Sequence, residues 1–265
     1  MSRRTALVTG ASAGIGQAFA EVFAANGFDL IVVARREERL RALATSVEQR
    51  YGVRVHVMAA DLAALDASTQ LADRIAAAGF TVDALVNNAG YAVPGAFLKS
   101  EWPRHAEFLQ VLLVAVAELT HRLLPPMVER GYGRVINVAS LAGLLPAAGG
   151  HTLYAATKAF LIRFSESLSE ELRHRGVHVT AVCPGFTWSE FHDVAGTRQI
   201  MNRMPGFMWM DADAVAQQGY AAVMAGRPVF VPGRVNAAIA TLARILPHSV
   251  VQAMNRRAAT RYRQV

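Results

Sequence analysis

The chain lacks the residues that form covalent or metal cross-links. Its 265 residues include one cysteine, Cys183, so an internal disulfide and a cysteine-based metal cluster are both excluded. The eight histidines do not show the spacing of a metal site. We therefore expect the chain to fold and act without a metal ion.

Long apolar runs are also lacking. The run 111–117 is followed at once by Glu118 and soon by His121 and Arg122, so it is too short to span a membrane. The first predicted strand begins near Thr5, which leaves no room for a signal peptide. Because 53% of the residues are hydrophobic, the chain has enough apolar residues for a core. We expect a soluble, cytoplasmic protein.

Acidic residues are absent after Asp213, whereas seven arginines follow it. The last 52 residues therefore carry the whole net charge of +7. Such a segment can bind an anionic membrane surface, nucleic acid or an acidic substrate. Lysine is scarce as well, with only Lys99 and Lys158 in the chain, so arginine carries nearly all of the positive charge throughout the chain. We favour a solvated helix face over a membrane-surface role, and we expect no nucleic-acid partner.

Short β-branched runs alternate with alanine- and leucine-rich segments of helical spacing. The alternation predicts an α/β fold, a Rossmann-type doubly wound parallel sheet of about seven strands with helices on both faces. We expect one domain, 1–265, with an irregular segment at 186–210 and a basic C-terminal helical extension at 235–265. The predicted strands lie near 5–10, 28–34, 53–58, 81–88, 132–139, 176–183 and 227–231.

A glycine-rich turn, Thr9-Gly10-x-x-x-Gly14-x-Gly16, joins the first strand to the first helix. Its glycines let the backbone turn tightly and approach a pyrophosphate, whose charge then lies at the positive end of the helix. A glycine pattern alone is often only a tight turn. The strand-to-helix setting favours a dinucleotide-binding site.

The end of the second strand bears on the choice of dinucleotide. An acidic residue there binds the ribose hydroxyls of NAD, but this chain has Arg35 and Arg36 instead. Guanidinium groups can form forked contacts with the 2′-phosphate of NADPH or NADP, and Ser12 can add a hydroxyl contact. Alternatively, the two arginines only begin a solvent-facing helix. We favour NADPH, with NAD as the less favoured cofactor.

Two further strand ends carry small or polar residues. The third strand ends at Asp61-Leu62, where a carboxylate can accept from the adenine amino group. The fourth ends at Asn87-Asn88-Ala89-Gly90, whose small residues leave room for ribose and nicotinamide. In a parallel sheet these ends meet at the carboxyl edge, where ligands bind.

A tyrosine and a lysine four residues apart indicate proton chemistry. Tyr154 and Lys158 lie on one face of a predicted helix, and the ammonium favours the phenolate. Tyr154 can then act as general acid in reduction and as general base in oxidation. Ser140, at the end of the fifth strand, can hydrogen-bond the substrate oxygen.

In combination, these motifs resemble those of the short-chain dehydrogenase/reductase family, in its single-domain branch with a Tyr-x-x-x-Lys pair. The resemblance covers about 5–233. It implies that Tyr154 is the catalytic acid/base, that Lys158 orients the nicotinamide ribose and lowers the phenol pKa, and that Ser140 positions the carbonyl.

The resemblance also implies that Pro184-Gly185 forms a turn around the nicotinamide, with Thr187 and Ser189 as candidates for contact with its carboxamide. The predicted cofactor-binding residues are Gly10, Ser12, Gly14, Ile15, Gly16, Arg35, Arg36, Asp61, Leu62, Asn88, Ala89, Gly90, Tyr154, Lys158, Pro184, Gly185, Thr187 and Ser189.

One departure from the family pattern concerns the helix after the fourth strand. The family usually carries an asparagine there, which holds a water in a proton relay behind the lysine. Leu112 aligns with that position, and no asparagine occurs between Asn88 and Asn137. A leucine side chain cannot hold a water molecule, so the relay would need other groups or turnover would be slow.

The favoured function is that of an NADP(H)-dependent oxidoreductase (EC 1.1.1.-). It would transfer a hydride between nicotinamide and the carbonyl or secondary alcohol of a small apolar substrate. The alternative, which Leu112 suggests, is a catalytically weakened NADPH-binding sensor or scaffold protein.

The segments expected to border the substrate are rich in aromatic residues and methionine, which suits a lipid-, steroid- or aromatic-like compound. In the resembled family the segment after Pro184-Gly185 acts as a lid; its apolar side chains can equally serve to pack that lid on the core. The family also forms oligomers, so we expect a homodimer or homotetramer. Its contacts would come from the helix around 101–130, with Leu112 on the apolar surface, and from the helix carrying Tyr154.

Overall fold

The computed structural model describes residues 3–146, 149–150, 152–194, 196, 198–201, 204–247 and 249–252. The strands in this part of the chain are β1 Thr5–Thr9, β2 Asp29–Ala34, β3 Val55–Ala59, β4 Ala84–Asn87, β5 Gly133–Val138, β6 Val177–Val182, β7 Phe186–Trp188, β8 Trp209–Asp211 and β9 Val229–Phe230. The helices are α1 Gly14–Ala25, α2 Glu37–Tyr51, α3 Ala67–Ala77, α4 Trp102–Leu109, α5 Ala115–Glu129, α6 Thr152–Leu172, α7 Phe191–Val194, α8 Arg198–Met201, α9 Ala212–Met224 and α10 Arg234–Ile245.

Seven strands form one parallel sheet in the order β3-β2-β1-β4-β5-β6-β9. All seven predicted strands are present, and the predicted doubly wound α/β fold is confirmed. The order reverses between β1 and β4, which are neighbours in the sheet with Ala6 opposite Ala84. Ligands bind outside the carboxyl ends of the strands at such a switch point.

Alternate residues of each strand pack on opposite faces of the sheet. In β1, Ala6 and Val8 join a core with Phe19 and Phe23 of α1, whereas Leu7 packs on the other face. The second core includes side chains of α3 and α5, such as Leu71 of α3. Two apolar layers therefore fix the sheet from both sides, as the near-continuous apolar strands require.

A helical stretch, Trp102–Glu129, runs through α4, a π-helical turn at Gln110–Val114, and α5. By length and composition alone it could cross a membrane, but Phe108 and Leu119 are fully buried in the second core. Leu112 is 1% exposed and packs against Gly90. The expectation that Leu112 lies on an exposed oligomer surface is wrong, because the helix turns this side chain toward the sheet.

The segment 186–210, called the lid segment below, is more regular at its ends than the sequence indicated. It begins with β7 and closes with β8, which pair in parallel and place Phe186 opposite Trp209. The rings of Trp188 and Trp209 stack 4.0 Å apart. Three-residue strands are too short to show a period of two, so this contact between distant residues was missed.

The C-terminal part that the structure describes consists mainly of α10, which ends before Pro247, where a helix break was predicted. Gly185 packs closely on Asn236 of this helix, since a Cβ on Gly185 would lie 2.4 Å from the Asn236 side-chain oxygen. The remaining basic extension, 253–265, lies outside the described residues.

Candidate active site

Thr9, the last residue of β1, ties the two strands of the switch point together. Its hydroxyl accepts hydrogen bonds from the backbone amides of Asn88 (3.0 Å) and Ala89 (3.1 Å) and donates to the carbonyl of Val86 (3.1 Å). Thr9 is 1% exposed, so these bonds form in a buried environment. They set the path of the chain that leaves β4.

The glycine turn leaves no room for side chains. Gly10 has a φ of +66°, which favours glycine, and a Cβ on Gly16 would lie 2.3 Å from the carbonyl oxygen of Gly10. The Asn88 amide donates to the carbonyls of Thr9 (3.1 Å) and Gly10 (3.3 Å). The two predicted strand-end motifs are thus in direct contact and support each other.

The N-terminus of α1 is open to an anion. Ala13 caps the helix without a side-chain hydrogen bond, and its first turn contains no acidic residue. A cavity of about 620 Å³ lies there, bordered by Gly14 and by residues of the lid segment. Free backbone amides at a positive helix end suit a diphosphate. These residues therefore fit a dinucleotide, which would lie across the switch point.

Arginines beside this cavity point in different directions. The Arg36 guanidinium donates to the Ser12 hydroxyl (3.0 and 3.3 Å), so these two predicted residues meet. Arg35 instead faces the Asp61 carboxylate at 3.9 Å. Arg39, one helical turn after Arg36, borders the same cavity and was missed, although its i, i+3 spacing from Arg36 signals it.

Glu190 of the lid segment pairs with both arginines. Its carboxylate lies 2.8 Å from Arg36 Nη1 and 2.5 Å from Arg39 Nη1. Hydrogen bonds lower the pKa of this carboxyl, and the bond from Arg36 has a larger effect than the bond from Arg39. Sequence reasoning did not find Glu190, because this residue lies some 150 positions after the two arginines in the chain.

The end of β3 offers less to a ligand than its sequence indicated. An Asp61 carboxylate oxygen accepts from the Ala63 amide at 3.1 Å, and the carboxylate remains about half exposed. Leu62 is buried in the second core, so only its backbone can reach a cofactor. The role of Asp61 toward adenine stays a prediction.

Lys158 is buried near Tyr154. It is 7% exposed, and its Nζ donates to the carbonyl of Val138 at 2.8 Å. The same Nζ lies 5.6 Å from the centre of the Tyr154 ring. Burial lowers the pKa of Lys158 to about 8, against a smaller opposing effect of Cys183. The Lys158 ammonium therefore loses its proton more readily than a lysine ammonium in water does.

Tyr154 and Ser140 are brought together as predicted. Desolvation of the phenol raises the pKa of Tyr154, and the hydrogen bond with the Ser140 side chain acts in the opposite direction. The lysine was expected to lower this pKa, yet desolvation is the dominant effect in this structure. Ser140 Oγ accepts from the Ala142 amide at 3.1 Å. That bond leaves its proton free to donate to a phenolate or a substrate oxygen.

The turn after β6 connects the catalytic end to the lid segment. The Leu141 amide donates to the carbonyl of Pro184 at 2.9 Å, which holds this turn beside Ser140. Thr187 is buried and its hydroxyl donates to Gly185. Ser189 lies against the glycine turn, since a Cβ on Gly14 would be 2.8 Å from the Ser189 Cβ. Its contact with a carboxamide stays a prediction.

An aromatic side chain of the lid segment faces the tyrosine. The Phe191 ring centre lies 5.9 Å from that of Tyr154. A small cavity beside Tyr154 is bordered by apolar and polar side chains. The apolar ones include Val93, Pro94, Phe97, Phe108 and Leu153, and the polar ones are Ser100, His105 and Thr152. The phenol therefore has apolar neighbours, an arrangement that can place a proton donor next to an apolar carbonyl compound.

Comparison with known proteins agrees with this geometry. The family model described as short chain dehydrogenase matches residues 4–199. Nodulation protein G of Rhizobium sp. (strain N33) is 37% identical over 242 residues, which cover 88% of this chain and 97% of that protein. Very-long-chain 3-oxoacyl-CoA reductase-B of Danio rerio is 33% identical over 195 residues, 71% of this chain and 61% of that protein.

Solved structures give the same result. A short-chain dehydrogenase from Sphingobium yanoikuyae in complex with NADPH has a TM-score of 0.80 at 30% identity, covering 92% of this chain and 96% of that one. A short-chain dehydrogenase/reductase from Burkholderia phymatum in complex with NAD has a TM-score of 0.80 at 26% identity, covering 91% and 92%. The predicted family resemblance is thus confirmed, and this chain belongs to the short-chain dehydrogenase family of oxidoreductases.

Proposed function

We propose that the protein is an NADP(H)-dependent oxidoreductase acting on a carbonyl, or on the corresponding secondary alcohol, of an apolar substrate. The observation that carries the choice of cofactor is the contact of Arg36 with Ser12 beside the glycine turn. Arg39 adds a second guanidinium at the same place. Two cations and a hydroxyl suit a 2′-phosphate.

Family membership leaves the cofactor open, because one similar structure contains NADPH and another contains NAD. NAD-binding members of such folds use an acidic residue after the second strand to bind the ribose. Here β2 ends at Ala34 and is followed by Arg35 and Arg36. The proposal therefore rests on this chain's own charges.

The test compares NADPH with NADH. We expect Arg36→Ala to weaken NADPH binding by about 10-fold to 100-fold, since a charge-assisted hydrogen bond contributes about 1.5–3 kcal/mol. NADH binding should change less than threefold. Arg41→Ala is the matched control, because Arg41 lies in α2, five residues after Arg36, but pairs with Glu37. Equal binding of both cofactors by the unaltered protein would refute the proposal.

The chemistry follows from three side chains. A nicotinamide supplies or accepts the hydride. The Tyr154 phenol donates a proton to the substrate oxygen in reduction and removes it in oxidation. Ser140 donates a hydrogen bond to the same oxygen, and Lys158 supplies a positive charge 5.6 Å from the phenol ring. Tyr154, Lys158 and Ser140 lie together in this structure, which supports an active enzyme over a non-catalytic sensor.

An apolar substrate is supported by the surroundings of Tyr154. The Phe191 ring lies 5.9 Å from the Tyr154 ring, and Phe97 and Leu153 border the small cavity beside it. A panel of ketones and aldehydes of increasing hydrocarbon size, assayed by NADPH oxidation, tests this class. We expect kcat/KM to increase with apolar size. A preference for small charged carbonyl compounds would contradict it.

We also propose that the chain forms a homo-oligomer through α5 and α6. Phe160 of α6 stacks on Phe164 and is 40% exposed, and Val114, the residue immediately before α5, is 48% exposed. Exposed aromatic pairs of this kind favour self-association. Analytical ultracentrifugation should show a dimer or larger species that Phe160→Glu converts to monomer.

A further inference from the structure

The lid segment is attached to the phosphate end of the groove by charge. Glu190 pairs with Arg36 and Arg39, and this set of ion pairs is called the Glu190 latch below. Next to it, Ser189 packs against Gly14 of the glycine turn. The first residues of the lid segment therefore cover the place where the dinucleotide phosphates would lie.

The Glu190 carboxylate resembles a phosphate in the contacts that it makes. It accepts from Arg36 through one oxygen and from Arg39 through the other. Arg36 uses its Nη1 for this contact, while its Nε and Nη2 stay on Ser12. The carboxylate is thus held by two guanidiniums, and Ser12 is bonded to one of them. These are the same residues that we assign to the 2′-phosphate.

We propose that Glu190 occupies the position of the cofactor's 2′-phosphate in the cofactor-free protein, and that a 2′-phosphorylated cofactor releases the lid segment by displacing it. The inference rests on the proposed preference for NADPH and deepens it. Glu190 becomes a residue that determines specificity, because a cofactor without the phosphate leaves the latch closed.

The exposure of the latch makes this exchange feasible. The side chains of Arg36, Arg39 and Glu190 are between 42% and 49% exposed. Ion pairs that solvent reaches to this extent contribute little to stability. A phosphate of higher charge can therefore replace a single carboxylate without a large barrier from desolvation.

The first experiment measures binding of adenosine 2′,5′-bisphosphate and of 5′-AMP by calorimetry, so that nicotinamide chemistry plays no part. We expect Glu190→Gln and Glu190→Ala to tighten binding of the bisphosphate by about threefold to tenfold, because the competing carboxylate is removed. Binding of 5′-AMP should change less than twofold. Glu37→Gln is the matched control, since it removes a neighbouring negative charge that pairs with Arg41 instead.

A second measurement follows the lid segment itself. Trp188 lies two residues before Glu190, borders the cavity and stacks on Trp209. In a Trp102→Phe background, the bisphosphate should change the fluorescence of this stacked pair more than 5′-AMP does. Glu190→Ala should already show the changed spectrum without ligand. A spectrum identical to that of the unaltered protein would overturn the release of the lid segment.

The two proposals fail in different ways. If the bisphosphate and 5′-AMP bind equally and Arg36→Ala affects neither, the NADPH preference fails and the latch fails with it. If the bisphosphate is preferred through Arg36 but both Glu190 variants bind it no more tightly, the NADPH preference stands and the latch is overturned.

Discussion

The catalytic end and the phosphate end of the cofactor groove differ in how far they are exposed to solvent. Lys158 is 7% exposed and bonds to a backbone carbonyl, whereas Arg36 and Arg39 are about half exposed and bond to a glutamate of the lid segment. Under the proposed function, burial sets the chemistry of the first end and exchangeable charge sets the ligand choice of the second. On that proposal, one groove keeps a fixed reaction while its cofactor specificity depends on a few surface residues.

The largest expected effect lies at the buried end. Tyr154→Phe removes the proton donor and should lower kcat by about 10²-fold to 10⁴-fold. Dissociation constants for NADPH should stay within about threefold, because the substitution leaves Arg36, Arg39 and Ser12 at the phosphate end unchanged. Steady-state kinetics and calorimetry measure the two quantities. A variant that keeps more than half of its turnover would remove Tyr154 from the mechanism.

The next largest effect is expected from Lys158, in the dependence of the free energy of unfolding on pH. Its pKa of about 8 lies below the ordinary 10.5, so the unfolded chain binds this proton more tightly between these values. The free energy of unfolding therefore gains about 3 kcal/mol from this group as pH rises from 8 to 10.5, and this gain is lost again as pH falls from 10.5 to 8. Urea titrations of the unaltered protein and Lys158→Met across this range measure the contribution, with Lys99→Met as the exposed control.

The low pKa can be observed directly. Since Lys99 and Lys158 are the only lysines, a sample with ¹³C-labelled lysine gives two side-chain signals, and Lys99→Arg assigns them. One signal should titrate near 8. A Lys158 signal that titrates near 10.5 would show that Lys158 is solvated in the free protein.

Thr9 provides a test of the buried hydrogen bonds that join the end of β1 to the end of β4 and the residues after it. Thr9→Val leaves the Asn88 and Ala89 amides without their acceptor and should lower the free energy of unfolding by about 2 kcal/mol. NADPH and NADH binding should weaken together, unlike the selective effect at Arg36. Thr9→Ser retains the hydroxyl and should behave as the unaltered protein, and an equally unstable serine variant would contradict this account.

The smallest expected effect is the response of the phosphate end to salt. Raising NaCl from about 0.05 M to 0.5 M shortens the Debye length severalfold and should weaken NADPH binding by about threefold to tenfold. NADH binding should change by less than twofold. A similar loss for both cofactors would place the salt-sensitive contacts elsewhere than at the 2′-phosphate.

Local patterns were sufficient for the seven-stranded sheet and for bringing several residues of the candidate site together. Apolar strands and fixed turn chemistry predicted β1, the glycine turn and the Tyr154–Lys158 pair, because these depend on neighbours in sequence. The family comparison then confirmed the fold and the oxidoreductase class.

Contacts between distant segments were not predictable in the same way. Glu190 meets Arg36 only because the lid segment folds back over the groove. Leu112 was placed on the surface, but a π-helical turn at Gln110–Val114 interrupts the helical period and Leu112 packs under Gly90. Arg35 and Arg36 are adjacent in sequence, yet only Arg36 reaches Ser12.

The strand pair β7–β8 has a consequence for how the substrate range can diverge. It fixes the two ends of the lid segment to each other, with Trp188 stacked on Trp209. The entropy of closing a loop grows only logarithmically with its length, so residues can be gained or lost between Phe191 and Trp209 at small cost. If the lid segment borders the substrate, as we propose, descendants of this gene can accept new substrates through such changes while the sheet, the glycine turn and Tyr154 stay as they are.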